Sequence, residues 1–226
     1  MQNSHENTKI KYAVFDLDGT LLDTLDDLAN SVNYVLESFG MPKRSRSDYR
    51  KFFGSGIAYA VRCAAPEGTS EEVISNMVAL FRKHYNVHCM DNTRPYEGIT
   101  EMMRSLAARG YKLAIVSNKI DSAVKELNKR FFADCVSVAV GEKPGVKRKP
   151  ARDMVDAALA ELGSAGGDAV YIGDSEVDLL TAENSGLPCI AVLWGFRDKD
   201  LLLEKGAAIF AETPADIIGL LENGLS

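Results

Sequence analysis

The run Asp16-Leu17-Asp18-Gly19-Thr20 sets two carboxylates two residues apart, directly after the apolar stretch Tyr12-Ala13-Val14-Phe15. A short buried strand ending in such a turn delivers both acids to its carboxyl end, where open α/β proteins place their chemistry. Acids so spaced can share one cation, leaving one free to attack as a nucleophile and the other to move a proton. Turn formation is the plain alternative, because Asp and Gly favour turns for local reasons.

Three further polar clusters invite the same question. Ser117-Asn118 closes the apolar run 113–116 and offers a hydroxyl and backbone donors near a helix start, suited to an anion or to an ordinary N-cap. Gly173-Asp174-Ser175-Glu176-Val177-Asp178 closes the run 169–172. Its acids can complete an oxygen shell around a hard cation, or simply sit favourably in the first turn of a capped helix. The loop 143–150 holds Lys143, Lys147, Arg148 and Lys149. Pro150 suits the first position of a helix, so Lys149 is expected at a helix entry as the phosphate and carboxylate partner, with Lys143 as the alternative.

The elements that would position these groups follow from periodicity. Thr24 and Asp27 form an Asp-containing variant of the capping box ahead of a helix over 24–39, which Gly40 and Pro42 end. A helical stretch over 47–64 is interrupted at Phe53-Gly54-Ser55-Gly56, and a third helix runs over 71–88. Roughly seventy residues of helix after the first strand make a poor βαβ crossover and a good inserted module. Asn92-Thr93-Arg94-Pro95 is its expected return hinge. Beyond it, helix and strand alternate: helix 99–108, strand 113–116, helix 121–129, strand 136–140, helix 151–162, strand 169–172, helix 177–184, strand 189–193, strand 207–210 and helix 215–221. That alternation predicts a Rossmann-like, three-layer α/β core with a parallel sheet.

A chain of 226 residues, 46% hydrophobic, can bury a full core without covalent staples. Cys63, Cys89, Cys135 and Cys189 lack metal-ligand spacing and are expected to be reduced. The polar segment 1–9 has no signal-peptide core and no run is long enough to span a membrane, so the expected setting is cytoplasmic. A formal charge of −6 argues against a nucleic-acid platform. An anionic ligand would therefore need a cation or a few placed lysines.

The order of these clusters, acid pair, Ser, Lys, acid pair, resembles the haloacid-dehalogenase superfamily of phosphatases, with Asp16 through Asp23, Ser117-Asn118, Lys149-Pro150 and Gly173 through Asp178 matching its successive motifs. The resemblance implies a core of residues 1–22 and 93–226 and an α-helical cap of residues 23–92. It implies Asp16 as nucleophile and Asp18 as general acid and base. Mg²⁺ would be held by Asp16, the main-chain carbonyl of Asp18 and Asp174 or Asp178. Ser117, the backbone at Asn118 and Lys149 would hold the phosphoryl oxygens. Hydrolysis of a phosphate monoester asks for on the order of 20 kcal/mol of catalysis. Proton transfer supplies only roughly 10²- to 10⁴-fold of that. Positioning, covalent catalysis and charge stabilisation must supply the remainder.

Within the superfamily, Asp18 argues against dehalogenation. Gly173-Asp174-Ser175 stands where sugar-phosphate mutases typically carry a Glu-Asp pair. Phosphoglycolate phosphatases are resembled most, through Arg50 to Gly56 and through Val192 to Arg197. Gly54 and Gly56 would let a cap loop approach the site, with Arg50 or Lys51 meeting a substrate carboxylate. Arg152, where many relatives have a second proline, is a departure. The substrate expected is a small phosphate monoester. A mutase, or a non-catalytic phosphate-binding regulatory module, is the alternative. His84 and His88 make at most half a metal site.

Overall fold

The computed structural model describes residues 10–164 and 167–225; the polar segment 1–9 read above lies outside them. In chain order the elements are β1 (Tyr12–Phe15), β2 (Leu22–Asp23), α1 (Leu25–Ser38), α2 (Arg46–Phe52), α3 (Ile57–Ala64), α4 (Glu71–His88), β3 (Arg94–Pro95), α5 (Ile99–Ala108) and β4 (Lys112–Ile120). The chain continues through α6 (Asp121–Phe131), β5 (Val138–Glu142), α7 (Asp153–Leu162), β6 (Ala169–Gly173), α8 (Glu176–Ser185), β7 (Cys189–Val192), α9 (Lys199–Glu204), β8 (Ile209–Ala211) and α10 (Pro214–Asn223).

Six parallel strands form one sheet in the order β5-β4-β1-β6-β7-β8. The two-residue period of β1 divides its side chains between two cores. Ala13 and Phe15 join Ile99, Met102, Val124 and Leu127 on one face. Tyr12 and Val14 join Met154, Val155, Ala158 and Leu159 on the other. Both faces of the central strands are buried, which is why these strands read as continuous apolar runs. The expected three-layer parallel α/β fold is the one observed.

Strand order also sets the site. The chain runs from β1 to β4 and β5 on one side, then crosses to β6 on the other, so β1 lies at the switch in direction where a crevice opens beyond the strand ends. Phe15 pairs with both Ile115 and Ile172, which brings the ends of β1, β4 and β6 to one level.

The four helices α1 to α4 bury their apolar faces against one another around Val32, Leu36, Tyr49, Met77 and Phe81. Phe196, from the loop after β7, completes that cluster. Where the chain enters and leaves this insertion, its two ends are joined by the short antiparallel ladder of β2 with β3, a separate two-stranded sheet, and by the carboxylate of Asp27. Asp27 accepts from the backbone N–H and side chain of both Asn92 and Thr93, at 2.8 to 3.0 Å.

That use of Asp27 overturns the expected capping box. The Thr24 side chain makes no cap bond, and its hydroxyl is buried without a partner. Five polar contacts at the return hinge outcompete one local cap, a tertiary preference invisible to spacing rules. Lys149 is not at a helix entry either: α7 begins at Asp153, with Arg152 in the N-cap position and Pro150 two residues earlier. Strand β4 runs on past Val116 to Ile120 through an irregularity in its pairing with β5, so Ser117 and Asn118 lie within a strand and not at a helix start. β5 and β8 each sit about two residues later than apolar content alone suggests, and α9 has too few residues to show a helical period.

Candidate active site

Asp16 and Asp18 leave the end of β1 through a turn that requires glycine. Gly19 has φ +89°, and a Cβ there would lie 2.5 Å from Asp174 Oδ2. Gly19 therefore lets the β1 turn lie directly against the β6 loop. Asp174 is fixed from two sides: the Thr20 hydroxyl donates to its Oδ1 at 3.1 Å and the Phe196 backbone N–H to its Oδ2 at 2.7 Å. Single oxygens of Asp16, Asp174 and Asp178 all fall within 4.8 Å of one another.

Lys149 bridges this acidic group. Its ammonium lies 2.7 Å from Asp16 Oδ1 and 2.8 Å from Asp178 Oδ1, and donates to the Tyr171 hydroxyl at 3.0 Å. Its side chain is only 3% exposed. Burial opposes the Lys149 charge, but Asp16 and Asp178 outweigh it and hold the ammonium well above its ordinary range. Asp16 feels burial first, which pushes its carboxyl well above the usual range; Lys149 pulls it back, and Asp178 and Asp174 add to the rise. Burial, followed by repulsion from Asp178, moves Asp174 up to about 7.

Asp178 has a different situation. Its Oδ2 accepts from the backbone N–H of Asp174 and Ser175 and from the Ser175 hydroxyl, while Oδ1 takes Lys149 and Tyr171. It takes part in the α8 capping box and orients Lys149 together, so its capping role does not keep it out of the acidic group. Asp16 Oδ2, by contrast, has no hydrogen-bond partner among the described residues.

Asp18 forms a second centre. The Lys119 ammonium lies 2.6 Å from its Oδ1, and the Ser117 hydroxyl donates to its Oδ2 at 3.3 Å. Lys119 is a site residue that the sequence reading missed. Strand alternation carries its signal: Ser117 and Lys119, two apart on β4, both reach the Asp18 carboxylate. Asn118, between them, donates from its side chain to the Lys149 carbonyl at 3.1 Å, linking the two loops.

Asp16, Asp18, Ser117, Asn118 and Lys149 all line one cavity of about 810 Å³. Its opposite wall comes from the helical insertion and includes Phe53, Gly54, Gly56, Phe81 and Tyr85. Gly56 has φ +86°, and a Cβ there would lie 2.8 Å from an Arg148 guanidinium nitrogen. Arg50 and Lys51 do not line the cavity. Arg50 donates to the Gly195 carbonyl at 2.8 Å, and Lys51 is exposed. A residue not singled out, Arg197, meets this segment from the core: it pairs with Glu176 at 2.7 Å and donates to the Phe53 carbonyl at 2.8 Å.

The geometry is a buried oxygen-rich centre with one lysine, opening into a cavity beside a second carboxylate with its own lysine. Comparison with known proteins agrees with it. Residues 13–192 match the model of the haloacid dehalogenase-like hydrolases, and the chain belongs to that family. It is a hydrolase of the phosphatase kind. A phosphoglycolate phosphatase of Agrobacterium fabrum is 30% identical over 94% of each chain. The pyrophosphatase PpaX of Halalkalibacterium halodurans is 32% identical, covering 94% of this chain and 97% of its own. A solved Lactobacillus delbrueckii structure, described as a candidate phosphoglycolate phosphatase, is 36% identical with a TM-score of 0.89, covering 94% of this chain and 98% of its own.

Proposed function

We propose that this protein is a Mg²⁺-dependent phosphatase that hydrolyses a small phosphate monoester, of the phosphoglycolate class, through an aspartyl-phosphate at Asp16. One observation carries the reading: Asp16, held by Lys149 through Oδ1, lines the same cavity as Asp18, Ser117 and Lys149 itself. In this reading residues 1–22 and 93–226 are the catalytic core, and residues 23–92 are a cap that closes over it.

The donor set fits Mg²⁺. Three buried carboxylates converge, two of them with carboxyls pushed up by burial and mutual repulsion, a penalty that a hard cation relieves. Asp16, the main-chain carbonyl of Asp18 and Asp174 would hold the ion, while Asp178, which accepts from five protein donors including the Lys149 ammonium where Asp174 accepts from two, supports the shell. When bound, Mg²⁺ supplies charge neutralisation to the phosphoryl oxygens.

Asp16 attacks phosphorus, and the bond to the leaving oxygen breaks as protonated Asp18 gives that oxygen its proton. Asp18, now a carboxylate, takes a proton from water as the water oxygen attacks the aspartyl-phosphate. The bond from phosphorus to Asp16 then breaks, releasing inorganic phosphate and restoring both acids. Ser117 and Lys149 hold the phosphoryl oxygens through these steps. A cytoplasmic setting accords with the four free thiols. The test is inorganic phosphate release from an aryl phosphate with Mg²⁺ and with chelator, followed by kcat/KM across phosphoglycolate, sugar phosphates, nucleotides and pyrophosphate. Mg²⁺-dependent release that prefers phosphoglycolate supports the reading; no release from any substrate overturns it.

A further inference from the structure

Lys119 is the second buried lysine of the site, lining the same cavity, and the proposed reaction steps give it no work. Its side chain is 5% exposed, on the strand that carries Ser117, and its ammonium touches Asp18 rather than the buried acids around Lys149. The Ser117 hydroxyl also accepts from the Lys119 backbone N–H at 3.2 Å, so one short stretch of β4 grips both oxygens of the Asp18 carboxylate. A carboxylate gripped at both oxygens has lost its freedom to rotate, which a proton-transfer group requires if it is to meet the reacting oxygen.

The other side of Lys119 belongs to the insertion. The Tyr85 ring, on α4, lies with its centroid 4.6 Å from the ammonium, close enough for a cation–π contact. Burial opposes the charge on Lys119, and Asp18 and then Tyr85 offset this, leaving the ammonium raised above its ordinary range. A residue of the insertion thus seats the lysine that seats the Asp18 carboxylate.

We infer that Lys119 is a positioning residue for Asp18, and that Tyr85 couples its placement to the packing of the helical insertion on the core. This rests on the phosphatase reading for its kinetic consequence, but the coupling between the two residues stands apart from it. Lys119 acts through Asp18, so its loss slows the proton-transfer steps. An aryl phosphate, whose leaving group needs no proton, isolates the second of these.

The experiment is a double-mutant cycle with Lys119→Met, Asp18→Asn and the double variant, alongside Lys119→Arg and Tyr85→Leu. In Lys119→Met, phenol release should show a burst of about one equivalent per active site, followed by steady turnover roughly 10- to 100-fold slower than wild type, within the span of general acid–base catalysis. Lys119→Arg should recover most of that rate, and Tyr85→Leu should show a weaker burst of the same kind. In the double variant Lys119→Met should add no further loss to Asp18→Asn. Additive losses, or a Lys119→Met defect confined to KM, would overturn the inference and place Lys119 on the substrate.

The same four proteins in denaturant read the pairing without turnover. Each single variant should lower the unfolding midpoint and the double variant should recover part of the loss, because one partner is no longer buried alone. Additive midpoint shifts overturn the pairing. Wild-type inactivity beside a coupled midpoint would reject the phosphatase reading alone.

Discussion

The site contains two lysine–carboxylate centres built in contrasting ways. The inner one, Lys149 with Asp16, Asp178 and Tyr171, draws no partner from the insertion: Asp16 follows β1, Tyr171 lies on β6 and Asp178 is in the first turn of α8. The outer one, Lys119 with Asp18 and Ser117, takes its third wall from Tyr85 of the insertion. The inner centre is organised by the sheet core: the register of β1 with β6, the start of α8 and the loop before α7. The outer centre is complete only while α4 lies against the core. Under the proposed function, the nucleophile is thus held by the core before substrate arrives, whereas the proton-transfer group depends on the placement of the insertion.

The largest test of this contrast removes the nucleophile. Asp16→Asn should abolish Mg²⁺-dependent phosphate release, a fall of more than about 10⁴-fold, with the fold retained by circular dichroism; full activity would end the assignment. Next in size is Asp178→Ala, which takes one of its two carboxylate partners from the buried Lys149 and removes half of the α8 capping box. Breaking a buried pair costs about 3–5 kcal/mol, so the denaturation midpoint should fall steeply. A loss below about 1 kcal/mol would mean that the inner centre is not preorganised by this residue.

Asp174 supplies a pH test. Its folded carboxyl lies near 7, above the ordinary 3.8, so its contribution to stability is fully present below about pH 4 and lost as pH rises through 7. In chelator, Asp174→Asn should therefore gain on wild type by up to ~4 kcal/mol between pH 4 and pH 8. Added Mg²⁺ should restore wild type but not the variant. A pH-independent difference between the two proteins would remove the electrostatic account of this acid.

The smallest expected effect lies at the seam between insertion and core. Arg50→Ala deletes one partly exposed hydrogen bond to Gly195 and should cost about 1 kcal/mol or less in stability. Its effect on kcat/KM for phosphoglycolate should be under about tenfold, since Arg50 does not line the cavity. A loss of 100-fold in KM alone would show that Arg50 swings to the substrate.

The contrast between the centres also explains what could be read from the chain. Asp16, Asp18, Ser117 and Asp174 announce themselves because each follows closely on an apolar run, and Lys149 because it stands before a proline in a basic loop. Lys119 is hidden for a related reason. Apolar content stops at Val116, but the strand continues to Ile120, so alternation beyond the apolar run is easily passed over. Thr24 and Asp27 fit a capping pattern, yet Asp27 answers to Asn92 and Thr93, 65 and 66 residues away. Arg50 and Lys51 have the right charge for a carboxylate ligand, but charge says nothing about which way a side chain on α2 points.

Periodicity and motif order by themselves determined the parallel α/β core, the helical insertion after the first strand and the identity of the inner acids. These are properties of local pattern, because strand ends, glycine turns and buried runs leave their mark within a few residues. Only the tertiary structure decided that Lys149 takes Asp16 through one oxygen, that Asp178 is consumed by five donors, and that Tyr85 packs on the lysine that holds Asp18. Those outcomes depend on competition among partners brought together from distant segments, where burial makes each unmade hydrogen bond costly and the better-placed donor wins.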